Sequence, residues 1–347
     1  MISKITMNNQ NQIPKSWYGK RYYSLDAYCK TVYQEKLYKI AIDAGLTCPN
    51  RDGKLDTRGC IFCSAGGSGD FAVSGRTHSS VSEQLEAGKA LFHGKPVGTG
   101  WIAYFQAYTN TYGSPDYLYR IFHDALSHPE VRGISIATRP DCLGEEVLSL
   151  LNTLLLQFPE KFIWVELGLQ TMHEQTAAFI RRGYPLSVYE EAVTNLVNIS
   201  VPVITHLILG LPGEQKEDFL ATVSYMNQLY ERQKSLAHPH RALPMFGVKL
   251  QLLHILRHTD LDLLYQRNQV SVLSKEDYID WLISGIETLS SEIVIHRITG
   301  DGPKNILRAP LWSLDKRNVL NSIAHQLKVQ DTWQGKEYHG STHNGTL

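Results

Sequence analysis

Three of the five cysteines fall within residues 47–71, TCPNRDGKLDTRGCIFCSAGGSGDF. Cys48 is followed by eleven residues, Cys60, two more residues and Cys63. An odd cysteine count with a clustered trio argues against a secreted disulfide framework. A structural zinc takes four ligands and a 4Fe-4S cluster normally four thiolates, so three leave one metal corner open for a substrate or cofactor. A three-cysteine zinc site is the competing reading. The glycines that follow favour the cluster, since Gly66, Gly67 and Gly69 let backbone approach a bound group closely.

Such a loop needs a rigid frame, and the sequence supplies a repeating one. Apolar runs predict strands over 36–46, 100–107, 133–138, 162–169, 201–209 and 248–256. Between them, helical patterns cover 81–92, 116–126, 145–158, 173–180, 188–197 and 217–230. About six βα units specify an α/β fold, a parallel sheet with helices outside, curling into a partly open barrel. In such barrels the active site gathers at the C-terminal ends of the strands. Those ends carry Cys48 and residues 106–110, 138–141, 170–171 and 210–214. Glu166 lies among apolar residues on a strand expected to be buried, so it needs a partner, either a ligand or a neighbouring base. Arg139 and Asp141 either contact a ligand or form a salt bridge that stiffens their turn.

The expected organisation is an N-terminal arm and aromatic-basic segment over 1–35, a partial barrel over 36–256, a mainly helical extension over 257–330, and a tail over 331–347. Residues 14–39 mix six Lys/Arg with Trp17, Tyr18, Tyr22, Tyr23, Tyr28, Tyr33 and Tyr38. Cations among stacking rings suit single-stranded RNA. The same tyrosines would serve equally as packing residues. In the extension, the stretch 296–310, HRITGDGPKNILRAP, offers Lys304 and Arg308 to a phosphate or substrate, or is a loop leading to Trp312. Lys plus Arg and Asp plus Glu both number 34, so no global field draws in nucleic acid and any RNA contact uses a local patch. No apolar run has transmembrane length and the N-terminus lacks a signal-peptide core, which predicts a cytoplasmic protein.

The cysteine trio, ending in C-x-aromatic-C after a hydrophobic strand, resembles the radical S-adenosylmethionine (SAM) superfamily. The long first gap, with residues 136–141 (IATRPD) and 165–171 (VELGLQT), resembles the radical SAM half of the Elongator catalytic subunit and, over nearly the whole chain, the YtqA/YhcC-like group. The resemblance implies an open (βα)6 TIM-type barrel. It implies one 4Fe-4S cluster on Cys48, Cys60 and Cys63, whose open iron chelates SAM. It places Phe62 and the turn at Leu211 near the adenine, with Gly66 and Gly67 beside the cofactor. The superfamily's Gly-Gly-Glu motif is absent, and Gln106 and Asn110 stand where it would meet the SAM ammonium. Glu166 and Gln170 are implied at SAM, Gln170 at the ribose, and Arg182 at the carboxylate. Reductive cleavage of SAM would give a 5′-deoxyadenosyl radical, fed by flavodoxin or ferredoxin. The implied substrate is the carbon-5 side chain of tRNA wobble uridine. A small-molecule or porphyrin oxidase and a non-catalytic Fe–S or zinc RNA-binding module are the alternatives. The catalytic residues stay unassigned.

Overall fold

The computed structural model describes residues 13–67, 69–73, 80–92, 100–236, 243–338 and 340. The polar arm before residue 13 and the end of the tail lie outside them.

Strands β1 (Leu37–Ile42), β2 (Gly100–Phe105), β3 (Val131–Thr138), β4 (Phe162–Gln170), β5 (Val203–Leu209) and β6 (Phe246–Leu252) are rich in β-branched and aromatic residues. β2 is buried at every position, as expected for a parallel strand covered on both faces. A two-residue strand β7 (Ile255–Leu256) follows, then β8 (Val294–Arg297) and β9 (Leu307–Ala309). The main sheet has the order β1-β2-β3-β4-β5-β6-β8, with every pairing parallel. β7 and β9 pair antiparallel beside it.

The helices α1 (Leu25–Val32), α2 (Val81–Ala90), α3 (Pro115–Ser127), α4 (Glu145–Gln157), α5 (Glu174–Phe179), α6 (Leu186–Asn198) and α7 (Lys216–Leu236) precede β6. The helices α8 (Asp260–Gln266), α9 (Lys275–Thr288) and α10 (Lys316–Val329) come after it. Local chemistry sets their starts: Ser80 and Glu83 form a capping box on α2, and Ser274 caps α9. The main core fills the space between the sheet and these helices, with Leu85, Phe122, Leu151, Val193 and Leu282 fully buried. No described helix is long and apolar enough to cross a membrane.

Two expectations are revised, and one left open between two readings is narrowed. The sheet has seven strands, because β8 arises in the stretch expected to be a helical extension; four residues are too few for a period to show in sequence. The expected strand over 248–256 is broken at Leu253 and His254 into β6 and β7. Of the two readings of the aromatic segment, packing describes its inner rings, while Tyr18 stays exposed. Trp17 is buried, Tyr28 and Tyr33 stack edgewise or tilted on Trp164, and Tyr33 lies 4.8 Å from Phe162. Phe162 opens β4, so these rings close the barrel at the N-terminal ends of its strands, opposite the cysteine loop. Cys29 joins Leu37, Ile102, Trp164 and Ile204 in the same apolar floor.

Candidate active site

A cavity of about 260 Å³ opens where the C-terminal ends of the strands meet the cysteine loop. All three cysteines line it. The loop is stapled from within. The Arg51 guanidinium donates to the carbonyls of Cys63 (3.0 Å) and Ser64 (2.6 Å). The Asn50 amide donates to Cys60 Sγ (3.7 Å) and to the Arg181 carbonyl (2.8 Å), tying the loop to the end of α5. The Cys63 thiol beside Cys60 holds the Cys60 thiol down to about 7 against its burial, with Arg139 and Asn50 adding to the effect. Cys63, on the other side of that shared hydrogen bond, is raised. The shared hydrogen bond thus eases one sulfur of the pair toward the thiolate, the form that ligates metal.

Three cysteines, with no fourth cysteine among the residues that line the cavity, suit a cluster that keeps a corner open. Among the described residues, the three metal-capable side chains whose ligand atoms all lie within 4.8 Å of one another are Glu86, His128 and Glu130, on the outside of the barrel, whereas the three cysteines share the cavity wall without that spacing. The donor set at the cavity therefore fits an iron–sulfur cluster better than a closed zinc site.

The cavity also takes in Phe62, Gly67, Gln106, Glu166, Gln170 and Arg182 of the residues singled out in the sequence. Gln170 is the most exposed to ligand logic. A bulge between Gly168 and Gln170 and a φ of 69° re-aim its side chain. Its buried Oε1 has no hydrogen-bond partner among the described residues, so an acceptor is left over at the strand mouth.

Others have work inside the protein. Arg182 is 2 % exposed and donates to the carbonyls of Tyr184, Leu169 and Thr171 and to Glu174, so four of its five N–H groups hold the turn after β4. The Asn110 amide donates to Phe105 and Ala137 carbonyls and is not in the cavity wall; it fastens β2 to β3. Leu211 packs with Ile61, Ile180 and Ile208 behind the wall, and its carbonyl accepts from the Glu214 amide. Gly66 and Gly67 are small for the protein's own sake: a Cβ would collide with Asp70 at the first and with the Tyr108 ring at the second. Arg139 and Asp141 form the internal salt bridge, with bonds of 2.9 and 2.7 Å. Arg308 pairs with Asp262, and neither it nor Lys304 reaches the cavity, whereas Gly300, Asp301 and Gly302 do.

Below the cysteines the barrel interior carries a polar layer. Glu166 accepts from Lys39 and Lys249, from Ser135 (2.6 Å), and from His206 Nε2 (2.7 Å). Lys249 also donates to the Tyr104 hydroxyl at 3.0 Å. The partner demanded for Glu166 is thus a set of neighbouring bases. Burial would raise the Glu166 carboxyl, but the Lys249 and Lys39 ammoniums, with His206, hold it well below its ordinary range. Burial, then Lys249, pushes His206 down to about 4, so it is neutral at pH 7. Burial pushes Lys249 down to about 7 against the pull of Glu166. Lys39 and Lys249 stand alone among apolar neighbours in LYKIAI and FGVKLQL, on strands already expected to be buried. The cost of a buried charge, applied to Glu166, marks them too. Asn50 and Arg51 leave no such trace, since polar residues are ordinary in a loop.

The model of the Radical SAM superfamily matches residues 57–226, and that of the Radical_SAM C-terminal domain matches residues 245–329. The chain is similar to YtqA of Bacillus subtilis, 38% identical across 95% of this chain and 97% of that one. It is 31% identical to YhcC of Escherichia coli K12, across 81% of this chain and 84% of that one. Among solved structures it is similar in fold to the archaeal Elp3 of Methanocaldococcus infernus. The TM-score is 0.59 at 14% identity, over 86% of this chain and 64% of that one.

Proposed function

Because this chain belongs to the radical SAM superfamily, in its YtqA/YhcC-like group, we propose that it is a tRNA-modifying enzyme that remodels the carbon-5 side chain of the wobble uridine. The observation that carries the enzymatic part is the union of three cysteines, one orphaned acceptor on Gln170 and a set of titratable groups in one cavity. Cys48, Cys60 and Cys63 would hold a 4Fe-4S cluster, and SAM would take its open corner. Bound together, these would supply one-electron cleavage of SAM and hydrogen-atom removal from substrate.

The chain's own residues do the rest. Arg51 and Asn50 fix the loop that bears the thiols. Phe62 and Ile208 exclude water beside it. Gln170 offers its free carbonyl to a ribose hydroxyl, and Arg182 holds the backbone that aims Gln170. The tRNA part is supported by the Elongator-like text at residues 136–141 and 165–171. With the aromatic segment packed into the barrel floor, the splayed nucleotide would enter through the cavity mouth. A reducing protein such as flavodoxin or ferredoxin would supply the electron, in the cytoplasm.

The test is a nucleoside mass-spectrometry profile of total tRNA from cells with and without the gene. Loss of one carbon-5-modified uridine, with its precursor accumulating, is expected. An unchanged profile in cells lacking any redundant route would overturn the tRNA assignment. Altered haem intermediates in the same cells would point to a porphyrin oxidase instead.

A further inference from the structure

The polar layer under the cavity contains more cationic groups than one carboxylate can balance. Glu166 enters from β4, Lys39 from β1, Tyr104 from β2, Ser135 from β3, His206 from β5, Lys249 from β6, and His296 and Arg297 from β8. Lys39 pairs with one oxygen of Glu166 and Lys249 with the other, so one carboxylate serves two amines, with Ser135 and His206 completing its hydrogen bonds. Among the described residues no second carboxylate bonds to the layer. The layer thus holds one amine more than its carboxylate can balance; Lys249 is 3 % exposed, yet it lines the cavity wall. It lies 4.5 Å from the centroid of the Tyr104 ring, which has Lys39 on it as well at 4.7 Å. Arg297 also lines the cavity, adding positive charge nearby.

Two ammoniums against one carboxylate in a dry barrel favour the loss of one proton, since each uncompensated buried charge is costly. Lys249 is the more deeply buried of the two, its side chain 4% exposed against 17% for Lys39. We propose that Lys249 is the general base of the reaction, acting on an N–H or O–H of the substrate next to the carbon that loses its hydrogen atom. The amine lone pair takes that proton, a new N–H bond forms on Nζ, and the electron pair of the broken bond stays on the substrate. The lysine becomes an ammonium beside Glu166, which stabilises it, and returns the proton to water after product leaves. Tyr104 and Glu166 act as positioning residues, fixing where Nζ points. Burial, followed by the nearby Lys39 and Arg297, holds the amine near the working range against the pull of Glu166, where a base is most effective. The proposal deepens the function assigned above and takes from it only that a substrate occupies the cavity.

The test uses the full chain, free of substrate, labelled with trace acetic anhydride across pH 5.5–10.5 (roughly the span over which a shifted lysine titrates). Acylation is read by mass spectrometry of the peptide that carries Lys249. Exposed Lys54 and Lys304 serve as internal references. Lys249 should label with half-maximal rate near pH 7. Half-maximal labelling together with the exposed lysines, or no labelling at any pH, overturns the proposal. Lys249→Arg keeps the charge but not the base. Product formation should fall by about a hundredfold or more, with the rising limb of the pH–rate profile lost. An unchanged limb overturns it too. The labelling result does not depend on tRNA, so a wrong substrate and a wrong base are separable failures.

Discussion

Glu166→Gln is the most informative single perturbation of this barrel. The change is nearly isosteric, but it leaves Lys39 and Lys249 without their shared counter-ion. Breaking one side of a buried ion pair costs about 3–5 kcal/mol. The Lys39 side chain keeps 17% exposure, which puts the expected loss at the lower end, about 3 kcal/mol. With an unfolding entropy of about 2.1 cal/mol/K per residue over 347 residues, that lowers Tm by about 4 °C. The sign with pH follows from both groups. Glu166 is held low, so its stabilisation is complete above the ordinary carboxyl range and is lost only as pH falls through its folded value. Lys249 is lowered from 10.5 to about 7, so the folded state binds fewer protons in that window and stability rises with pH across it. Without Glu166 the Lys249 value drops further, and the variant loses more stability than wild type as pH falls toward 6. The deficit is therefore larger at pH 6 than at pH 9. The assay is thermal unfolding of metal-free wild type and variant, side by side, at several pH values. Equal Tm values across that range would refute the charge balance assigned to the layer.

Three further outcomes are expected. Cys60→Ala should take the iron content of anaerobically reconstituted protein from about four per chain to near none; retained iron would remove Cys60 from the ligand set. Gln170→Ala should weaken SAM binding by about tenfold, the worth of one buried hydrogen bond, measured by equilibrium dialysis on cluster-loaded protein. An unchanged Kd would mean that its orphaned Oε1 meets something other than SAM. Tyr33→Ala should cost about 2 kcal/mol of stability through lost packing on Phe162 and Trp164. The same variant should leave tRNA affinity unchanged in a filter-binding assay, and a large loss of affinity would restore the aromatic segment as an RNA surface.

Much of the frame was legible in the chain alone. The strands around Ile40, Ala103, Ile134, Val165 and Val203 are runs of residues that bury on both faces, and helical periods separate them. That alternation admits little besides a parallel sheet with external helices. The cysteine spacing carried the metal chemistry, because ligand type and number are properties of residues rather than of shape. The demand that Glu166 have a partner was equally available, since the cost of a bare buried carboxylate does not depend on the fold.

Tertiary structure decided who met whom. β8 is four residues long and entered the sheet only because β6 offered an open edge. Tyr28 and Tyr33 read equally as a stacking surface or a plug until Trp164 and Phe162 were seen to receive them. Arg182 had the charge to hold a carboxylate, and only the fold showed three carbonyls converging on it. Lys39 and Lys249 lie 210 residues apart in a 347-residue chain. Local pattern encodes which face a side chain takes. The balance of charge among side chains from seven strands exists only once those strands close around one interior.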